Sequence, residues 1–169
     1  MYRQHSHCSF CGSPFNESQR WPRVCPNCSS TTYRNPLPVV IVLQPVDESL
    51  LLIRRGAAPR QGQLALPGGF IEMQETWQQA AARELYEEAG VGISSEQIEI
   101  FSVRSTHDGY LLVFALGPLL REVDLPSFVP NKEAGARVLI NTPTELAFPL
   151  HTEAVTQFFS QRGQWRTLT

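Results

Sequence analysis

Residues Gly69–Glu75 (GFIEMQE) and Arg83–Val91 (RELYEEAGV), separated by seven residues, decide the fold of this chain. Between them, Thr76 followed three residues later by Gln79 forms a capping box, so a helix is predicted to begin there. Gly90 is the residue that ends it. The pattern therefore predicts a glycine-rich loop that leads into a helix with glutamates in its second half.

Three of these glutamates, Glu84, Glu87 and Glu88, fall within about 100° of one another around the predicted helix. Carboxylates about 5 Å apart repel by roughly 3 kcal/mol at an effective dielectric of about 20. A small domain has only about 5–15 kcal/mol of net stability, so the cluster needs a reason. A hard cation such as Mg²⁺ supplies one, with Arg83 offsetting part of the charge. An acidic, solvated helix face is the alternative.

Length and composition describe a small globular chain. Its 169 residues predict one domain, with or without an appendage, and 42% hydrophobic and 18% charged residues are ordinary values. A net charge of −2 gives no reason to expect nucleic acid or an anionic membrane as a partner. The longest apolar run, Val39–Leu43, is too short to span a bilayer, and the N-terminus lacks the apolar core of a signal peptide. We therefore predict a cytoplasmic protein.

All the cysteines lie near the N-terminus in two CxxC pairs: Cys8, Cys11, Cys25 and Cys28. Two pairs at this spacing fit a tetrahedral zinc site, and Gly12 suits the tight turn that it requires. Two disulfides or a redox CxxC are the alternatives, which the lack of a secretion signal and of a flanking βαβ pattern disfavours. His5 and His7 could substitute as ligands, although four thiolates already fill the site.

The cysteine-bearing segment is not a basic patch. Residues 1–34 contain four arginines and one glutamate, and a zinc ion with four thiolates would leave about one positive charge. No nucleic-acid binding is therefore expected. A structural extension that shapes the substrate entrance or a subunit contact, and pure stabilisation without a substrate role, are equal alternatives.

The rest of the chain alternates between predicted strands and helices. Strands are predicted over 37–46, 50–54, 63–66, 98–104, 110–115 and 137–140, a loop over 117–135, and a closing helix over 151–161. Pro67, Gly68 and Gly69 are interpreted as a turn that stops the preceding strand. This order predicts an α/β fold in which a mixed sheet lies between helices.

The glutamate-rich segment resembles the Nudix box, G-x5-E-x7-R-E-U-x-E-E-x-G-U with U aliphatic, at every fixed position. Together with the cysteine pairs, Tyr33–Pro36 (YRNP) and Glu145–Phe148 (ELAF), it resembles the zinc-ribbon Nudix hydrolases related to FAD and ADP-ribose pyrophosphatases. The resemblance implies a zinc ribbon at residues 1–34 and a Nudix hydrolase domain, an α/β/α sandwich, at residues 35–169. It also implies a homodimer.

The resemblance further implies roles for individual residues. The ligands that it implies for catalytic Mg²⁺ or Mn²⁺ are Glu84, Glu87, Glu88 and the carbonyl of Gly69. Glu75 would turn toward Arg83 and shape the loop and helix. Family members often draw a further ligand or general base from a loop outside the box, and Glu133 is the nearest candidate, with a plain solvated charge as the alternative.

The implied reaction is hydrolysis at phosphorus, in which bound Mg²⁺ lowers the pKa of a water molecule. Glu88, Glu84 or Glu133 would take its proton. The candidates for binding the phosphates are Arg54, Arg55 and Arg60 with the loop glycines Gly68 and Gly69. For each arginine, a surface charge without a role in binding is the alternative.

The favoured substrate is a nucleoside diphosphate linked to another moiety, FAD or ADP-ribose, with a nucleoside monophosphate as product. Residues 92–169 lack the S-Q-P-W-P-F-P-x-S element of NADH pyrophosphatases, which counts against that class. A housecleaning pyrophosphatase for nucleoside triphosphates is the main alternative. A non-catalytic nucleotide-sensing regulator is the second, and the complete set of box glutamates argues against it.

Overall fold

The computed structural model describes residues 4–161, and the chain divides into two compact units, Met1–Pro36 and Leu37–Thr169. In the first unit, β1 (Arg23–Val24) and β2 (Thr31–Thr32) pair antiparallel. The buried cluster of this unit consists of Cys8, Phe15 and Cys25, with Trp21 packed against it. A core of this size is typical of units whose folding free energy comes from a metal.

Over residues 37–161, the second unit contains seven strands and two α-helices. The strands are β3 (Leu37–Val46), β4 (Ser49–Arg55), β5 (Leu64–Ala65), β6 (Gly68–Phe70), β7 (Glu99–Ser105), β8 (Tyr110–Leu116) and β9 (Ala134–Ile140). The helices are α1 (Trp77–Ala89) and α2 (Pro149–Ser160). Within residues 4–161, no helix is long and apolar enough to cross a membrane.

The sheet is mixed. Its strands run in the order β5-β4-β3-β8-β7, with β6 joined to β3 and β9 joined to β4. The β3–β8 pair is parallel, whereas the other pairs are antiparallel. A parallel pair needs a long crossover connection, and β6, α1 and β7 all lie in the chain between β3 and β8.

Each helix covers one face of this sheet. Because side chains alternate along a strand, β3 contributes Val40 and Val42 to one core and Ile41 and Leu43 to the other. The first core contains buried residues of α1, and the second contains buried residues of α2. The predicted α/β/α sandwich with a mixed sheet is therefore confirmed.

Helix α1 begins and ends at the residues that the sequence indicated. The Thr76 side chain accepts a hydrogen bond from the Gln79 backbone N–H at 3.2 Å, and the Gln79 side chain accepts one from the Thr76 N–H at 2.8 Å. Gly90 adopts the left-handed conformation, with φ 70°, and caps the other end. Between these two caps, α1 buries Glu84 and Glu88.

The predicted turn before the helix was wrong. Pro67, Gly68 and Gly69 do not form a turn, because Gly68–Phe70 is strand β6 and pairs antiparallel with Val39–Ile41 of β3. A Cβ at position 68 would collide with the carbonyl oxygen of Val40, so glycine permits this close pairing. The last strand also begins earlier than predicted, at Ala134.

Candidate active site

A cavity of about 380 Å³ lies in the second unit where β6, α1 and the residues before β9 meet. Its lining contains five carboxylates and two guanidinium groups: Glu72, Glu84, Glu87, Glu88 and Glu133, with Arg55 and Arg83. Gly68 and Gly69 also line it. The structure therefore gathers most of the site residues predicted from the sequence around one strongly acidic cavity.

Glu84 and Glu88 are the buried members of the cluster, with 8% and 6% of their surface exposed. A Glu88 carboxylate oxygen accepts a hydrogen bond from the Gly68 N–H at 2.8 Å. Burial, opposed in part by this bond, raises the pKa of Glu88 to about 8. Burial also raises the pKa of Glu84, against the opposing effect of Arg83. A cation among these oxygens would offset both the desolvation and the repulsion.

Gly69 brings the backbone of β6 against Glu84. A Cβ added at position 69 would lie 2.6 Å from the Glu84 carboxyl carbon, closer than side chains approach. Glycine at this position therefore leaves the space that the Glu84 carboxylate occupies.

Arg83 holds the loop and the helix together through ion pairs. Its Nη2 donates to Glu75 Oε1 at 2.7 Å and its Nε donates to Glu75 Oε2 at 3.2 Å, a bidentate arrangement that lowers the pKa of Glu75. Its Nη1 donates to Glu84 at 2.7 Å and to Glu87 at 3.1 Å. Its Nη2 also donates to the carbonyl of Phe70 at 3.0 Å. Arg83 thus holds the carboxylates of Glu84 and Glu87 in place, and Glu75 in turn holds the Arg83 guanidinium.

Of the two adjacent arginines at the end of β4, only Arg55 lines the cavity. Its Nε donates to the carbonyl of Pro59 at 2.9 Å, and its guanidinium lies 5.3 Å from the centre of the Phe148 ring. These contacts hold the side chain without neutralising its charge. Arg54 is not brought to the cavity, because its guanidinium donates to the carbonyl of Gly62 at 2.8 Å.

Two residues that the sequence analysis missed support this site. His151, at the start of α2, accepts a hydrogen bond from the Leu66 N–H at 3.3 Å and lies beside Phe148, with ring centres 5.0 Å apart. Asn131 accepts a hydrogen bond from the Glu133 N–H at 2.9 Å. An Asn two residues before a candidate glutamate is a turn signal that could have drawn attention to Asn131. No comparable signal marks His151.

The four cysteines of the first unit form a second candidate metal site. Their Sγ atoms all lie within 4.8 Å of one another, with Cys8–Cys28 at 3.7 Å and Cys11–Cys25 at 3.6 Å. A tetrahedral site with Zn–S distances of about 2.3 Å requires sulfur atoms about 3.8 Å apart. All four are free cysteines in this structure, and the two closest sulfur pairs are farther apart than the roughly 2.05 Å of a disulfide bond. The donor set therefore fits zinc.

The two CxxC turns have equivalent backbones. The carbonyl of Cys8 accepts the Gly12 N–H at 3.0 Å, and the carbonyl of Cys25 accepts the Ser29 N–H at 2.9 Å. Gly12 and Ser29 both have positive φ, 75° and 60°. Among the described residues, the cluster of candidate ligands consists of these cysteines and does not include His5 or His7.

The fold and the cavity define a class of α/β/α proteins that gather glutamates from one helix around a candidate cation site. The family model of the NUDIX domain matches residues 34–157, and the chain belongs to the Nudix family. The prediction of a Nudix hydrolase is confirmed at the level of the family.

Comparison with known proteins supports this assignment. The chain is 36% identical over 96 residues to the NAD-capped RNA hydrolase NudC of Salmonella heidelberg (strain SL476), an alignment that covers 56% of this chain and 37% of that protein. The chain therefore spans little more than a third of the curated relatives that it matches. A NUDIX hydrolase from Nitrosomonas europaea superposes with a TM-score of 0.70 at 29% identity, covering 94% of this chain and 93% of the other.

A more distant structure shares the fold. It is a bifunctional NMN adenylyltransferase/ADP ribose pyrophosphatase from Francisella tularensis complexed with AMP and a Mn ion, with a TM-score of 0.52 and 23% identity. The superposition covers 80% of this chain and 41% of that protein.

Proposed function

We propose that this chain is a metal-dependent pyrophosphohydrolase. It cleaves the phosphoanhydride of a nucleoside diphosphate linked to another moiety and releases a nucleoside monophosphate. The observation that carries this proposal is the buried pair Glu84 and Glu88, which face one cavity beside the glycine-rich strand β6. A buried carboxylate pair that lines a cavity of about 380 Å³ suits a divalent cation and a diphosphate together.

Mg²⁺ or Mn²⁺ would be held by Glu84 and Glu88, with Glu87, Glu133 and the carbonyl of Gly69 as further ligands. The fit is supported by the raised pKa values of the two buried carboxyls, which a cation would reverse. When bound, the metal supplies charge neutralisation at the phosphates and activation of a water molecule.

The chain's own residues would orient the substrate and accept a proton. Arg83 is already engaged by carboxylates, so Arg55 is the cavity's candidate for binding a phosphate. The proton acceptor is Glu88, Glu84 or Glu133, each of which lines the cavity. The Gly68 N–H donates to one oxygen of Glu88, so the other oxygen is the one that would bind a metal ion or accept a proton.

The substrates of the relatives favour two candidates. The NudC relative acts on NAD-capped RNA, and the Francisella protein is an ADP ribose pyrophosphatase. Both substrates contain a diphosphate between a nucleoside and another group. FAD belongs to the same chemical class and rests on the sequence resemblance alone. A structural zinc ion, which the four cysteines fit, is also part of the proposal. A homodimer is included on the family resemblance alone.

Product analysis tests the proposal. The zinc-loaded protein is incubated with ADP-ribose, NADH, NAD-capped RNA, FAD and nucleoside triphosphates, with Mg²⁺ or Mn²⁺. Glu88→Gln is the inactive variant, and Glu153→Gln, an exposed glutamate of α2, is the matched control. Nucleoside monophosphate from a diphosphate-linked substrate, lost only in Glu88→Gln, supports the proposal. Pyrophosphate from a triphosphate would assign the housecleaning alternative, and no turnover would favour the sensor. Light scattering reports the oligomeric state of the same sample.

A further inference from the structure

The last turn of α1 is capped by side chains from a distant part of the chain. Backbone carbonyls at the end of a helix have no partner within the helix. The carbonyl of Glu87 accepts a hydrogen bond from Asn131 Nδ2 at 2.8 Å, and the carbonyl of Ala89 accepts one from Arg137 Nη1 at 3.2 Å. The helix that carries the box glutamates is therefore tied both to the segment before β9, through Asn131, and to the middle of β9, through Arg137.

Asn131 uses its other end to hold the candidate glutamate of that segment. Its Oδ1 accepts hydrogen bonds from the N–H groups of Glu133 at 2.9 Å and Ala134 at 2.8 Å. Its own N–H donates to the carbonyl of Ala134 at 2.9 Å, which closes the turn. One side chain thus joins the backbone of the catalytic helix to the backbone of Glu133.

A second anchor lies at the end of β4. The Gly56 N–H donates to the carbonyl of Glu133 at 2.7 Å. A Cβ at position 56 would lie 2.5 Å from the carbonyl oxygen of Lys132 and 3.1 Å from the carbonyl carbon of Glu133. Glycine therefore lets the two backbones approach this closely, and Glu133 is held from both α1 and β4.

Such anchoring opposes the electrostatic preference of the carboxylate. Glu133 is exposed and shares the cavity with Glu84 and Glu88, which repel it whenever they are ionised. Repulsion among the three would favour the movement of a free loop carboxylate into solvent, where its charge is better screened. The contacts with Asn131 and Gly56 hold the backbone of Glu133 beside the cavity.

We propose that Asn131 is a positioning residue that fixes Glu133 at the cavity before metal or substrate binds. The site is then assembled in advance and does not depend on closure of a loop. This inference rests on the proposed function, which gives Glu133 a role as a metal ligand or a proton acceptor.

A double-mutant cycle tests it. Asn131→Ala, Glu133→Ala and the double variant are prepared in the full chain and compared in Mn²⁺ affinity by electron paramagnetic resonance, in kcat and KM, and in Tm. We expect each single variant to lower the same quantity, Mn²⁺ affinity or kcat, by about 10–100-fold, the usual effect of losing a supporting residue. We expect the double variant to be no worse than Glu133→Ala, because Asn131 acts through Glu133.

Arg137→Gln is the matched control, since it removes the neighbouring contact with the end of α1 and leaves Glu133 anchored. It should lower Tm and leave Mn²⁺ affinity and kcat unchanged. If Asn131→Ala does not fold, Asn131→Asp keeps the acceptor for Glu133 and loses the donor to Glu87, and a smaller loss in the same quantity is expected.

Three results would overturn the inference: independent, multiplying losses in the double variant, an Asn131→Ala variant changed only in Tm, or a Glu133→Ala variant changed in neither Mn²⁺ affinity nor kcat. The Mn²⁺ titration requires no substrate. Absence of turnover by the wild-type protein would therefore refute the proposed function. The double-mutant cycle measured by Mn²⁺ affinity would still test the role of Asn131 separately.

Discussion

Replacing Gly69 by alanine should displace one carboxylate and leave the fold intact. The added Cβ would clash with the Glu84 carboxylate, of which Oε1 is the nearest atom and the carboxyl carbon lies 2.6 Å away. Contact at about 3.6 Å requires the carboxylate to retreat by roughly 1 Å. Because the obstructing group is the end of a flexible side chain, Glu84 can move and the strand pairing of β6 can stay. A displacement of about 1 Å in a catalytic site can cost about 100-fold in rate, and we expect a loss of that order in kcat.

The assay is the initial rate of nucleoside monophosphate release from the best substrate, with Tm measured on the same samples. Gly92→Ala is the control, because a Cβ at that position meets nothing within 4 Å. It should match the wild-type protein in rate. A Gly69→Ala variant with wild-type turnover would refute the reasoning, and so would a loss of activity that is fully explained by unfolding.

Three further predictions concern the residues around the site and the first unit. Burial lowers the pKa of His151 to about 4 from 6.5, so its protonation opposes folding. The stabilising contribution of neutral His151 to the free energy of unfolding is fully present above pH 6.5 and falls by about 3 kcal/mol by pH 4. Urea unfolding at several pH values should show this loss in the wild-type protein and not in a His151→Asn variant. Equal pH dependence of the two proteins would contradict the prediction. Phe148→Leu should raise KM about two- to fivefold through weaker holding of Arg55, with little change in kcat in steady-state kinetics; a loss confined to kcat would exclude that role. Atomic absorption should find one zinc per chain in the wild-type protein and none in Cys25→Ser, and zinc retained by that variant would argue against the four-cysteine site.

The elements that could be predicted are those whose signals are local. The capping box at Thr76 and the glycine at position 90 depend on neighbours within one turn, and both ends of α1 lie where they were expected. The long strand Leu37–Val46 was predicted with the same bounds, because its apolar run is followed directly by the turn residues Asp47 and Glu48.

What failed depends on partners far away in the chain. The glycines of β6 are turn formers in isolation, and their pairing with β3 becomes favourable only when that strand lies beside them. Arg54 and Arg55 are equivalent in sequence, yet side chains alternate along β4 and one of them lines the cavity. The role of Asn131 at the end of α1 is equally invisible before the fold brings the two together.

The ion pair between Arg83 and Glu75 requires a fixed number of residues between them. Glu75 lies before the helix cap and Arg83 lies on the second turn of the helix, and their bidentate pair closes over the residues between them. Inserting or deleting one residue there would rotate Arg83 by about 100° around the helix relative to Glu75. Substitutions between Glu75 and Arg83 can leave their ion pair intact, whereas a change in the number of residues between them would break it and separate the loop from the helix.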